Sequence, residues 1–133
     1  VEKDALAFAP LADAFKLPRD TDEEKAYRHG VIQEALIDAI SVPFDIMNAC
    51  DRVIDLSDFL AHYGNRSAIS DVATGVSFAQ GALKGAALNV YVNAAMLDDR
   101  DMAARYTDEA DRLIAESGRR ADEIYNYVLE EIR

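Results

Sequence analysis

Gly85-Ala86-Ala87-Leu88-Asn89-Val90-Tyr91-Val92-Asn93 is the stretch on which the reading of this chain turns. Two asparagines stand four residues apart in a run that is otherwise small or apolar. Asparagine is a poorer helix former than alanine by about half a kcal/mol. A buried amide left without partners costs about 1–3 kcal/mol more. A helix that carries this burden twice on one face is a candidate polar site. Outward from this stretch the helix extends back to Ser70, read as its N-cap, and forward to about Leu97. It contains Gly75, Gly81 and Gly85, which together cost on the order of 3 kcal/mol relative to alanine. Ala73, Ala79, Ala82, Ala86 and Ala87 surround them. Such a helix is explained when other backbones or a ligand approach it closely, which places it at the centre of a bundle.

The rest of the chain reads as helix around it. Val1 to Phe15 forms a first segment, stopped at Lys16-Leu17-Pro18-Arg19-Asp20, because proline drives the residue before it out of helical geometry. Thr21 with Glu24 is a capping box that opens a second helix, with Ile32, Ala35, Leu36, Ala39 and Ile40 on one face. Ser41-Val42-Pro43 reads as a break, since proline suits a first turn and not an interior. A third segment, Pro43 to Tyr63, spaces Met47, Cys50, Val53, Ile54 and Leu60 by threes and fours. Gly64 fits a left-handed C-terminal cap. After the charged turn Asp98-Asp99-Arg100-Asp101, a last amphipathic helix carries Tyr106, Ala110, Leu113, Ile114, Ala121, Ile124, Val128 and Ile132. The expectation is a single all-α domain over residues 1–133, a bundle of about five helices with a Gly/Ala-rich central helix.

Composition narrows the function classes. Half of the 133 residues are hydrophobic and the net charge is −11, which disfavours nucleic acid and anionic membranes as partners. No apolar run approaches the ~20 residues of a membrane span. A lone Cys50 cannot form an internal disulfide, so a reducing cytoplasm is expected. The chain starts at Val1, already in helix, and the expectation is a processed or truncated N-terminus. His29 and His62 lack partners at metal spacing, so no metal is expected.

Projected at about 100° per residue, Asp71, Gly75, Phe78, Ala82, Gly85, Ala86, Asn89, Asn93 and Met96 share one sector of the central helix, roughly 100° wide. Lys84, Gln80 and Tyr91 lie opposite. Asp71 and Asn89 are about 27 Å apart along the axis, whereas Asn89 and Asn93 are about 6 Å apart. Asp71 and Asn89 can act on one bond only if a second subunit or a sharp kink joins them. A purely structural alternative stands beside this: the asparagines bond backbone at a neighbouring break such as Ser41-Val42-Pro43, and Asp71 caps free amides in its first turn.

A set of pieces in order carries a resemblance: Asp4-Ala5-Leu6-Ala7-Phe8, Lys16-Leu17-Pro18, Glu23-Glu24-Lys25, Ile32-Gln33-Glu34-Ala35-Leu36, Val42-Pro43, Gly64-Asn65, Ile69-Ser70-Asp71 and Gly85-Ala86-Ala87-Leu88-Asn89-Val90. Together they resemble the cyclodeaminase/cyclohydrolase family, which acts on tetrahydrofolate derivatives. The resemblance implies an all-helical homodimer, a folate substrate with no permanently bound cofactor, and a place in histidine degradation with a formiminotransferase as a possible companion enzyme. It assigns Asp71 as the catalytic acid–base group and Asn65, Ser70, Asn89 and Asn93 as substrate-binding residues. The family's N-terminal Pro-Gly-Gly-Gly loop has no counterpart here. For a polyglutamate tail, Lys84, Arg66, Lys16 and Arg19 are the candidate cations. The competing class is a non-catalytic helical dimerisation scaffold, which a Gly/Ala-rich helix and an amphipathic last helix would equally serve.

Overall fold

The computed structural model describes residues 2–133 and, among them, contains helices and no strand. Four α-helices follow in order: α1 (Glu2–Phe15), α2 (Asp22–Tyr63), α3 (Ile69–Ala95) and α4 (Arg100–Ile132), with a 3-10 turn at Arg66–Ala68 before α3. The expected fifth helix is absent because the break at Pro43 does not occur. Pro43 lies inside α2, a continuous helix of 42 residues. Proline lacks an N–H, so the Ala39 carbonyl one turn earlier loses its helical donor. Asn93 of α3 supplies the replacement, its Nδ2 donating to Ala39 O at 3.3 Å. A lost intrahelical bond is made good across the helix interface, and the helix runs on.

The start of α2 follows the sequence. Glu24 N donates to Thr21 Oγ1 at 3.1 Å and Thr21 N to Glu24 Oε2 at 3.2 Å, closing the capping box. Its other end differs from expectation. Gly64 adopts φ −79°, ψ −176°, which is extended and not left-handed. Its N–H still closes the last turn on Leu60 O at 2.8 Å, and a Cβ there would collide with that same carbonyl. Ser70 is not the cap of α3: the helix begins one residue earlier, and the 3-10 turn itself is capped by Asn65.

α3 packs against both α2 and α4, and α1 lies on α2. The core runs between these helices: Leu36, Ile40 and Met47 from α2, Leu83, Ala87 and Val90 from α3, and Ala110 and Leu113 from α4 are buried, with Leu11 and Ala14 of α1 sealing one end. A second cluster joins Ile54, Val76, Ile124 and Val128. Every predicted core residue of the first α2 stretch is buried, and Met47, Cys50 and Ile54 with them. Val53 and Leu60 are exposed instead; at their spacing they fall on the flank of α2 that no other helix covers.

Polar bonds fix the register. Gln33 of α2 grips the α3–α4 turn with both ends of its amide, donating to Met96 O at 3.0 Å and accepting from Asp98 N at 2.8 Å. His29 Nε2 lies 2.5 Å from Asp98 Oδ2 beside it. Further along, buried Ser117 donates to Asp51 Oδ1 at 2.5 Å, and Arg120 pairs with Asp51 and Asp55. α2 and α4 are thereby tied at mid-length.

Candidate functional site

α3 presents two faces. Ala73, Val76, Ala79, Leu83, Ala87, Val90 and Ala94 are buried inward. The strip predicted as the lining of a central polar site faces out: Asp71, Phe78, Ala82, Gly85, Asn89 and Met96 are exposed, Gly75 and Asn93 are half-buried, and Ala86 alone of that set is buried. The glycines are therefore not packing devices within this chain. A Cβ added at Gly75, Gly81 or Gly85 would meet nothing within 4 Å.

The strip borders a groove of about 490 Å³ between the first half of α3 and the last turns of α4. Ser70, Thr74 and Ser77 form one wall, at a spacing of four and three, so their hydroxyls fall in line. Phe78 of the same helix and Tyr125, Val128 and Ile132 of α4 add apolar and aromatic surface to the lining. Thr74 Oγ1 donates to Ser70 O and Ser77 Oγ to Ala73 O, both at 3.0 Å. With those protons engaged, the two hydroxyls offer a ligand acceptor lone pairs. An apolar, partly aromatic slot with a row of acceptors suits a flat heteroaromatic molecule bearing N–H groups.

The residues singled out in the sequence are distributed along this face. Ser70 lines the groove, and exposed Asp71 stands next to it in the first turn of α3. Asn65 lies in the preceding loop, where its Oδ1 accepts from Ser67 N and Ser67 Oγ at 3.0 Å each. Asn89 is exposed, with Nδ2 turned back to Gly85 O at 3.4 Å. Asn93 holds the Ala39 carbonyl. The structure thus brings Ser70 and Asp71 together at one end and Asn89 and Asn93 at the other. Thr74, Ser77 and Tyr125 also line the groove and were not singled out from the sequence, whereas Phe78 stood on the strip grouped by periodicity; for the two hydroxyls the Ser70-Thr74-Ser77 spacing was the available signal.

The surrounding charges sort themselves. Arg66 pairs with Glu131 at 2.5 Å, a contact that raises its pKa further above the usual guanidinium range, and Lys16 pairs with Asp13 at 3.6 Å. Lys84 lies in a separate shallow surface with Gln80, Arg119 and Asp122. Burial pushes the Cys50 thiol up, away from nucleophilic use. Tyr91 donates to Asp111 Oδ1 at 2.5 Å, and burial together with that carboxylate pushes its phenol up to about 12. Among the described residues, no three His, Cys, Asp or Glu side chains converge as a metal site would require.

Comparison with known proteins adds the following. The family model described as formiminotransferase-cyclodeaminase matches residues 1–112. A methenyltetrahydrofolate cyclohydrolase of Methylorubrum extorquens is 44% identical over 128 residues, covering 96% of this chain and 62% of that protein. A formimidoyltransferase-cyclodeaminase of Gallus gallus is 30% identical over 117 residues, covering 88% of this chain and 22% of that protein. Among solved structures, the formiminotetrahydrofolate cyclodeaminase of Thermotoga maritima superposes with a TM-score of 0.74 at 22% identity, over 96% of this chain and 61% of that one. This last likeness shows the fold. The chain spans about three-fifths of the cyclohydrolase's length, and a smaller share of the animal protein.

Proposed function

This chain belongs to the formiminotransferase-cyclodeaminase family, and from that premise we propose that it acts on a tetrahydrofolate derivative, as a formiminotetrahydrofolate cyclodeaminase or a methenyltetrahydrofolate cyclohydrolase. The observation that carries the proposal is the groove beside Asp71, lined by the hydroxyls of Ser70, Thr74 and Ser77 together with the rings of Phe78 and Tyr125. A pterin is flat, rich in N–H donors, and matched to such a slot.

Either reaction passes through one tetrahedral carbon between two nitrogens. In cyclodeamination, the bridge nitrogen attacks the formimino carbon carried on the ring nitrogen, a five-membered ring closes, and ammonia leaves with a proton. In the hydrolytic reaction, water attacks the cationic methenyl carbon, gives up a proton, and the ring reopens to the formyl product. Both need reactants held at contact distance and a group that moves protons. Asp71 takes that second role and also faces the cationic intermediate. Ser70 holds the pterin side, while Asn89 and Asn93 offer amides to the one-carbon unit and Asn65 supports the loop entering the groove. We further propose a cytoplasmic homodimer working beside a formiminotransferase, with the reduced folate as the only small-molecule requirement.

The test is ligand-dependent stability. A reduced folate at a hundred times its Kd stabilises the native state by about 2.7 kcal/mol, on the order of 8 °C in Tm for a chain of this size. A helical scaffold without a folate site would melt at one temperature throughout.

A further inference from the structure

One ion pair ties the two sides of the groove together at its end. The loop between α2 and α3 carries Asn65 and delivers the chain to Ser70 and Asp71. Arg66, in the 3-10 turn of that loop, donates from Nη2 to Glu131 Oε2 of α4 at 2.5 Å. Among the described residues this is the one hydrogen bond or ion pair that joins residues 64–68 to α4.

The loop side of the tie is well braced. Asn65 Oδ1 accepts from Ser67 N and Ser67 Oγ, and Ala68 N donates to Asn65 O at 3.0 Å. Arg66 therefore sits inside a closed turn. One turn back along α4, the Tyr127 ring stacks on His62 of α2, with centroids 4.2 Å apart and an angle of 21°. Tyr127 and Glu131 are four residues apart and so share one face of α4. Tyr125, Leu129 and Ile132, on the neighbouring face, line the groove. The same two turns of helix are held on one side and open to a ligand on the other.

The end of α4 needs such a tie. The final carbonyls of a helix have no partner within it, and that end carries partial negative charge. Glu130 and Glu131 place two acids there, and the last turn itself contains no base. Both features favour fraying. The Arg66 guanidinium brings a cation to the turn from outside the helix. An exposed ion pair adds little to the stability of a whole chain; its effect here is on local order.

We propose that Arg66 is a positioning residue: through Glu131 it latches the last two turns of α4 to the loop that enters α3, and so keeps the groove at the width its ligand requires. That the ligand is a reduced folate rests on the reading above; the latch does not.

Three variants of the full chain test it: Arg66→Met, Glu131→Gln, and the exchanged pair Arg66→Glu with Glu131→Arg. Amide hydrogen exchange is read first. Each single variant should speed exchange at residues 126–132 about fivefold and leave residues 103–121 at the wild-type rate. The exchanged pair should restore the wild-type pattern. Unchanged exchange at 126–132, acceleration along the whole of α4, or no restoration in the exchanged pair overturns the latch.

The dissociation constant of tetrahydrofolate, which neither folate reaction consumes, is read next by calorimetry without oxygen. It should rise about fivefold in both single variants and return in the exchanged pair. Weakening in Arg66→Met alone would mean that Arg66 touches the ligand directly. An unchanged constant in variants with faster exchange would mean that the groove does not depend on the latch. Either result overturns the proposal. Wild-type protein that binds no tetrahydrofolate removes the folate reading, and the exchange measurement then decides the latch by itself.

Discussion

Asn93 occupies the hydrogen-bonding place that Pro43 vacates: its Nδ2 donates to Ala39 O, 54 residues away in sequence, at 3.3 Å. One asparagine lets a 42-residue helix carry an interior proline without breaking. Removing it as Asn93→Ala strands a carbonyl in a half-buried interface and should cost about 1–3 kcal/mol. The Pro43→Ala background restores the missing N–H, so the same substitution there should cost well under half as much. Urea denaturation of the four proteins measures the coupling. Equal costs in both backgrounds would contradict this role.

Gln33 is the second long-range clamp, holding the backbone on both sides of Leu97. Gln33→Leu leaves the Asp98 N–H and the Met96 carbonyl without that partner in an exposed turn. The expected loss is about 1 kcal/mol, with faster hydrogen exchange confined to residues around the α3–α4 turn.

Tyr91 sets an alkaline limit. Its folded pKa of about 12 lies above the ordinary value of 10.0, through burial first and the Asp111 carboxylate second. The folded state therefore holds this proton more tightly than the unfolded state. The stabilisation is complete below pH 10 and is lost as pH rises through 12. Wild-type stability should fall across that window, and Tyr91→Phe should flatten the fall. An identical slope in the variant would remove Tyr91 as its source.

Much of the fold was legible in the sequence, and the failures have one physical source. The capping box at Thr21 and Glu24 and the apolar spacing of Ile32 to Ile40 are local signals, and they hold. The break at Pro43 was also a sound local inference. It failed because the compensating donor comes from another helix, which no local pattern reveals. Gly64 was recognised as a stop, but its backbone is extended and not left-handed. The strip on α3 was grouped correctly by periodicity, yet periodicity gives a face without saying whether it points inward. Gly75, Gly81 and Gly85 signalled close approach, and the chain's own helices do not make that approach. Asn93 bonds a neighbouring helix backbone, as the structural alternative for it held, but at the Ala39 carbonyl of an unbroken helix; Asn89 has only its own helix as partner.

The groove makes a steric prediction. Ser77→Trp would fill the slot between α3 and α4 from an exposed position, leaving the core intact. Its Tm without ligand should stay within about 2 °C of wild type, since surface changes are usually within ±0.5 kcal/mol, while the folate-induced rise disappears. A full rise in that variant would place folate elsewhere.

The central claim is folate one-carbon chemistry, and the near-ultraviolet band of the methenyl group reads it directly. Folded, dimeric protein is offered formiminotetrahydrofolate in one cuvette and methenyltetrahydrofolate in the other. The account predicts growth of the band in the first or its accelerated loss in the second, each abolished by Asp71→Asn. No change in either cuvette, from protein shown to be folded and dimeric, would contradict it.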